Sequence, residues 1–161
     1  MSPDAHVDVG FEIPEWTMDD VDPERMKTMA AILRDPYPVH WDRSSVADLG
    51  LGARVINQGP LNLSYITNML LAWQGPTCVR RLQVEFGRPV LDHDRVTAAG
   101  TVVSLETVDG ERRAHCEVRL ERDGTPVVTG TAVVALDTTL APGTTVAHDN
   151  GSPNDTNTEE D

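Results

Sequence analysis

The stretch from Gly59-Pro60 to Gly75-Pro76 constrains this chain most. A Gly-Pro pair stands at each end. Proline at a first helical position loses nothing, because that N–H would be unpaired anyway, and Gly with Pro is a common stop signal. Between them Leu61, Leu63, Ile66, Met69 and Leu70 make a helix that is apolar over more than half its circumference. Such a helix must be enclosed by other structure. The chain beyond Pro76 reads as strands. Leu82, Val84 and Phe86 alternate with polar residues, Val96 to Leu105 is β-branched and largely apolar, and Val127 to Leu136 is a further run. Between them Ala114, Cys116, Val118 and Leu120 alternate with Arg113, His115, Glu117 and Arg119. Asp109-Gly110 and Asp123-Gly124 separate the last three runs, and Asp-Gly is a strong hairpin signal. The pattern predicts an α+β domain: an antiparallel, curved sheet wrapped around one central apolar helix.

The chain before this helix is organised differently. Residues 1–15 form a polar, proline-containing segment with a short edge strand expected at Val7–Ile13. Asp22-Pro23-Glu24 opens a helix, with Asp as N-cap and Pro at the first helical position. Met26, Met29, Ala30 and Leu33 give it one apolar face. It should stop by Asp35, since the residue before a proline avoids α geometry. Residues 43–56 read as a mixed linker. Within it Leu49-Gly50-Leu51-Gly52 lacks the rest of a phosphate-loop motif and reads as a plain turn. The expected division is a segment over 1–15, one folded domain over 16–137, and an acidic disordered tail over 138–161, too poor in apolar residues to order itself.

Composition excludes several partners. The 161 residues carry a net charge of −13, which argues against nucleic acid and anionic membranes. No run is long enough to span a bilayer. The first residues show neither a basic nor an apolar leader region, so a cytoplasmic protein is expected. Lys27 is the only lysine among 13 basic residues; acidic, arginine-dominated chains suit high-salt cytoplasms or GC-rich genomes. Cys78 and Cys116 fall in strand-like segments and are expected to pack as free thiols. His6, His93, His115 and His148 lack metal-ligand spacing, and no metal is expected.

The chemistry-bearing stretch is Arg34-Asp35-Pro36-Tyr37-Pro38-Val39-His40-Trp41-Asp42. It places an acid and an imidazole five residues apart in a proline-stiffened loop. In an extended segment the two would point to opposite faces; they converge only if the loop turns. Two readings stand for these side chains. Asp35 caps a helix end or pairs with Arg34 while His40 packs in the core, or the two act together on a substrate. Tyr37 and Trp41 are read as aromatics that pack the loop.

Asp35, Pro38, Val39 and His40 resemble the Asp-x-Asn-Pro-(Leu/Ile/Val)-His signature of the MaoC-like, R-specific enoyl-CoA hydratases, with Tyr37 in place of Asn. Gly59 resembles the glycine of that family's helix start. Phe86-Gly87-Arg88-Pro89-Val90, followed by Asp94-Arg95-Val96, resembles its next strand and turn. The resemblance covers roughly 26–136. Trp73-x-Gly75-Pro76 and His40-x-Asp42-Arg43 are also similar to small MaoC-like subunits of steroid side-chain hydratases, which pair with a different chain.

The resemblance implies a single hot-dog fold that assembles as a homodimer or as a heteromer with a second hot-dog subunit. It implies hydration or dehydration of an α,β-unsaturated acyl-CoA, with coenzyme A present only as part of the substrate and no separate cofactor. Asp35 and His40 would share the acid and base roles. The Gly59 N–H would stabilise the enolate oxygen, and Thr67, two turns along the helix, would touch the substrate. Arg80, Arg81, Arg88 and Arg95 are candidates for the CoA phosphates, because guanidinium forks match phosphate oxygens; solvated strand faces explain them equally. The competing function is a non-catalytic acyl-CoA-binding or scaffolding subunit of a heteromeric hydratase. A thioesterase is a third reading that the Asp/His signature disfavours.

Overall fold

The structure, a computed structural model, describes residues 7–136. Strand β1 (Glu12–Met18) is followed by helix α1 (Pro23–Leu33), a 3₁₀ turn at Pro38–His40, helix α2 (Arg43–Asp48) and helix α3 (Gly59–Gln74). Then come β2 (Val79–Phe86), β3 (Val96–Val108), β4 (Glu111–Arg122) and β5 (Thr125–Ala135). One sheet holds all five strands in the order β1-β3-β4-β5-β2, every neighbouring pair antiparallel.

The enclosure expected of the apolar helix is present. Helix α3 touches all five strands, and its Ile66, Met69 and Leu70 are fully buried. Facing them are Ala114, Cys116, Val118 and Leu120 of β4 with Val128, Ala132 and Val134 of β5. This is the α+β hot-dog arrangement. The two hairpins turn where expected: Asp109 and Gly110 (φ 52° and 82°) and Asp123 and Gly124 (φ 51° and 71°) all take the left-handed conformation that a two-residue type I′ turn needs.

Two expectations of the first half are corrected. The first strand runs over Glu12–Met18, not Val7–Ile13. It crosses residue 15, so the segment before it joins the same sheet, and Val7 and Ile13 are buried in the common core. Pro14 lies inside the strand, which an edge position permits because no neighbour needs its missing N–H. Within 43–56, read as a linker, Arg43–Asp48 is a short helix. Its N-cap is Asp42, which accepts from the Ser44 N–H at 3.0 Å and from the Ser44 and Ser45 hydroxyls at 2.5 and 2.8 Å. Those bonds hold the Asp42 carboxyl below its usual range.

Helix α1 starts as expected: Asp22 accepts from the Glu24 N–H at 2.9 Å, with Pro23 between them. Gly50 and Gly52 sit in turns with positive φ, as a plain loop requires. Cys78 and Cys116 are free and buried, and burial pushes the Cys116 thiol up to about 12. The tail over 138–161, with His6 and His148, lies outside the described residues. Among the described residues no helix is long and apolar enough to cross a membrane.

Candidate active site

The loop between α1 and α2 turns, and the turn brings Asp35 to His40. Helix α1 ends on Arg34, which is left-handed (φ 52°), and its N–H caps back onto Ala30 and Ala31. Asp35 therefore lies beyond the helix. Pro36 and Pro38 restrict the backbone on either side of Tyr37, and Pro38–His40 closes one 3₁₀ turn, with Trp41 N–H bonding Pro38 O at 3.0 Å. Asp35 Oδ2 and His40 Nε2 end 3.5 Å apart. That is longer than a direct N–H···O bond. It leaves both atoms able to bond one small third group between them.

The orientation of each side chain is fixed from behind. The Tyr37 N–H donates to Asp35 Oδ1 at 3.0 Å, so Oδ2 is the oxygen left to face His40. His40 Nδ1 lies 2.6 Å from Ile56 O. A carbonyl only accepts, so Nδ1 carries the hydrogen and Nε2 is the nitrogen turned toward Asp35. Ile56 N–H in turn donates to Val39 O at 2.9 Å. Asp35 is partly exposed and His40 nearly buried. The bond that holds Asp35 comes from the backbone of Tyr37, so any residue except proline can make it, and Tyr in place of Asn does not disturb it. The Tyr37 ring meets the His40 ring edge-on, with centroids 6.1 Å apart. Its other face is exposed, as is Trp41. A shallow groove of about 360 Å³ opens here, bordered by Ala30, Arg34, Asp35 and Trp41.

The same strip of chain carries the start of α3. Gly59 is three residues beyond Ile56, and its N–H donates to no group among the described residues. A helix N-terminus leaves such donors free and favours negative charge in front of them. Glycine is required here for space: a Cβ at Gly59 would lie 3.3 Å from the Phe86 ring. Thr67 stands apart. Its hydroxyl donates to Leu63 O at 3.0 Å, within its own helix, and it sits about 12 Å along the axis from Gly59.

The four candidate arginines are not gathered at this site. Arg80 grips Glu111 through Nε and Nη2 at 2.6–3.1 Å. Together with Arg113 it holds the Glu111 carboxyl down to about 2. Arg95 pairs with Asp19 at the surface, and Arg81 donates to Gln83 at 3.0 Å. Arg88 is exposed and makes no ion pair among the described residues.

Two polar clusters escaped the sequence reading. Asp92, fully buried, is bonded by Arg43 and by Arg54 at 3.2 Å. Asp94 accepts from Arg54 and Arg122, each at 2.8 Å, and from the Leu91 N–H at 2.9 Å. Burial works to raise the Asp94 carboxyl, but those bonds outweigh it and leave it lowered. The cluster clamps the 90–94 loop to Arg43 and Arg54, which flank the His40 turn on either side. The second cluster lies under the start of α3. Asn57 Nδ2 donates to Asn62 Oδ1 at 2.7 Å, and Gln58 Nε2 donates to Met26 O at 2.8 Å. An Asp-x-Asp spacing and an Asn-Gln pair ahead of Gly-Pro were the only signals for them in the sequence.

No family model matches the sequence, and comparison with curated proteins gives no match. Solved structures do match. The chain is similar to an (R)-hydratase from A. caviae involved in PHA biosynthesis, at 27% identity and a TM-score of 0.66, over 81% of this chain and 97% of that one. It is similar to the R-hydratase PhaJ1 from Pseudomonas aeruginosa at 24% identity and a TM-score of 0.70, over 81% and 82%. It is similar to the ChsH1-ChsH2 complex from Mycobacterium tuberculosis at 23% identity and a TM-score of 0.69, over 81% and 99%. By its architecture the chain is a hot-dog protein, and its structural neighbours are the MaoC-like hydratases and dehydratases.

Proposed function

We propose that this chain adds water across the double bond of an α,β-unsaturated acyl-CoA, or runs the reverse dehydration. One observation carries the reading: Asp35 Oδ2 and His40 Nε2 face each other at 3.5 Å, each side chain held from behind by a backbone group. One water oxygen fits within hydrogen-bond distance of both atoms. As that oxygen bonds to Cβ, Asp35 takes one of the water's protons. The π electrons move toward the thioester carbonyl, and Cα gains a proton from the same pair, with His40 Nε2 as the donor when the imidazole is charged. Positioned acid–base groups typically contribute about 10²–10⁴-fold each. Charge developing on the thioester oxygen needs a donor, and the unpaired Gly59 N–H at the start of α3 can supply it. Such donors are typically worth about 2.7–4 kcal/mol.

The second reading is a subunit that binds acyl-CoA or supports a catalytic partner. It draws on Tyr37, which replaces the signature's Asn, and on a two-chain complex among the structural neighbours. One assay separates the two. Purified chain is mixed with crotonyl-CoA and with bulkier enoyl-CoAs, and loss of the conjugated-thioester absorbance is followed alongside acyl-CoA affinity. Turnover by the chain alone supports the hydratase. Binding without turnover, at every chain length, supports the subunit.

A further inference from the structure

The two edges of the sheet are built differently. The β1 edge carries Pro14 and a register break between Ile13 and Trp16, two devices that discourage another strand from pairing there. The β2 edge has neither from Arg81 to Phe86; its one irregularity lies at Val79/Arg81. Gly87 N–H donates to Val127 O at 2.9 Å, and the β2/β5 register is continuous from there back to Arg81. By the alternation of antiparallel ladders, Arg81, Gln83 and Glu85 exchange backbone bonds with β5. The N–H and C=O groups of Leu82, Val84 and Phe86 are left on the open edge. The side chains of those three are only partly covered, and Phe86 is 55% exposed.

The sequence of this edge is complementary to itself. Run antiparallel about Gln83, Arg81-Leu82-Gln83-Val84-Glu85 sets Arg81 opposite Glu85, Leu82 opposite Val84 and Gln83 opposite Gln83. Leu82 and Val84 are the residues with free backbone groups, so this register also closes the hydrogen-bond ladder. Shifting the centre to Leu82 sets Arg81 against Gln83. Shifting it to Val84 sets Glu85 against Gln83. Of these three registers, only the Gln83 centre puts opposite charges directly across, the arrangement that stabilises strand pairs. Glu85 makes no ion pair among the described residues and is exposed. The chain as a whole carries −13, and two such surfaces repel. Yet β2, with Arg80 and Arg81 against Glu85, carries a net +1 (two positive less one negative).

We infer that a second copy of this chain pairs edge to edge along β2, antiparallel and centred on Gln83, so that two five-stranded sheets become one of ten. The partner strand covers Leu82 and Val84 and lies beside Phe86. Phe86 packs on Gly59, so the start of α3 and its free N–H flank the seam.

Charge reversal tests the register on the intact chain, with mass as the readout and no dependence on turnover. In R81E both cross-strand pairs become Glu–Glu, and in E85R both become Arg–Arg. Each variant should show a dimer Kd raised roughly 10- to 100-fold over the parent's, by sedimentation equilibrium at low salt. Mixing the two variants should restore dimers of mixed composition, which native mass spectrometry distinguishes, and such rescue also shows that both chains fold. Q83C supplies an independent probe. Gln83 faces itself in a non-hydrogen-bonded pair about 4.5 Å apart at Cα, within disulfide range, so oxidation should give a covalent dimer on a non-reducing gel. A monomeric parent at tens of micromolar, by the same sedimentation measurement, overturns the proposal. Dimers indifferent to both reversals, or a Q83C chain that does not cross-link, also overturn it and assign this edge to a different polypeptide or leave it unpaired.

Discussion

At the scale of single residues, what the sequence displays is chemical type, and what it hides is direction. Asp35 and His40 stood out because a carboxyl and an imidazole share one short loop with two prolines. Nothing in the string says that Tyr37 N–H takes Oδ1 and leaves Oδ2, or that Ile56 O takes Nδ1 and leaves Nε2. Those choices come from partners up to 16 positions away. The Asp92 cluster was invisible for the same reason: its guanidiniums come from 49 and 38 positions away, and no periodicity marks a buried charge. Gly130 is a quieter case. It sits opposite Val84, and a Cβ there would fall 2.1 Å from Gln83 O and 2.9 Å from Val84 Cα. Backbone atoms on the partner strand cannot swing aside as a side chain would. Gly130→Ala should therefore destabilise the fold by about 1–3 kcal/mol, read as a lower denaturation midpoint in urea with an unchanged slope. A midpoint equal to the parent's would contradict the close β2/β5 approach.

At the scale of elements, legibility followed the strength of the local signal. Helix α3, the last three strands and both Asp-Gly turns were readable because period, breakers and turn chemistry agree there. Helix α2 was not, since six residues are too few to show a period, although Asp42-x-Ser-Ser is a capping pattern. Strand β1 was misplaced because Pro14 looks like an end, and only its edge position makes it an interior residue. Arg80, a CoA candidate in the sequence, is instead a fastener between elements: it joins β2 to the first residue of β4 through Glu111. Glu111 has its pKa lowered from 4.5 to about 2, with Arg80 and Arg113 as the causes. A depressed carboxyl contributes stability that is present above its unfolded pKa and is lost as pH falls through the folded one. Thermal midpoints should thus fall as pH drops from about 4.5 toward about 2, and Glu111→Gln should flatten that slope. A parent and variant with the same slope over this window would show that the fastener contributes nothing.

At the scale of the whole molecule, the sequence yielded the architecture through one argument: a helix apolar on most sides must be enclosed, and only the strands after it can do so. Assembly was less legible, because self-complementarity of β2 matters only once β2 is known to be an edge. The function rests on the loop and the helix start meeting at one place. The Ile56 strip brings them together, bonded to Val39 and His40 on one side and leading into Gly59 on the other. The central claim is that the Asp35/His40 pair works on substrate and does not hold the fold together. Asp35→Asn keeps the shape and the Tyr37 N–H bond while removing the base. The measurement is the hydration rate of Asp35→Asn on an enoyl-CoA that the parent turns over, taken with acyl-CoA affinity and melting temperature on the same protein. The expected result is a rate lower by about 10²-fold or more, with affinity and melting temperature near those of the parent. Near-normal turnover, or a rate loss that merely tracks a fallen melting temperature, would contradict the claim.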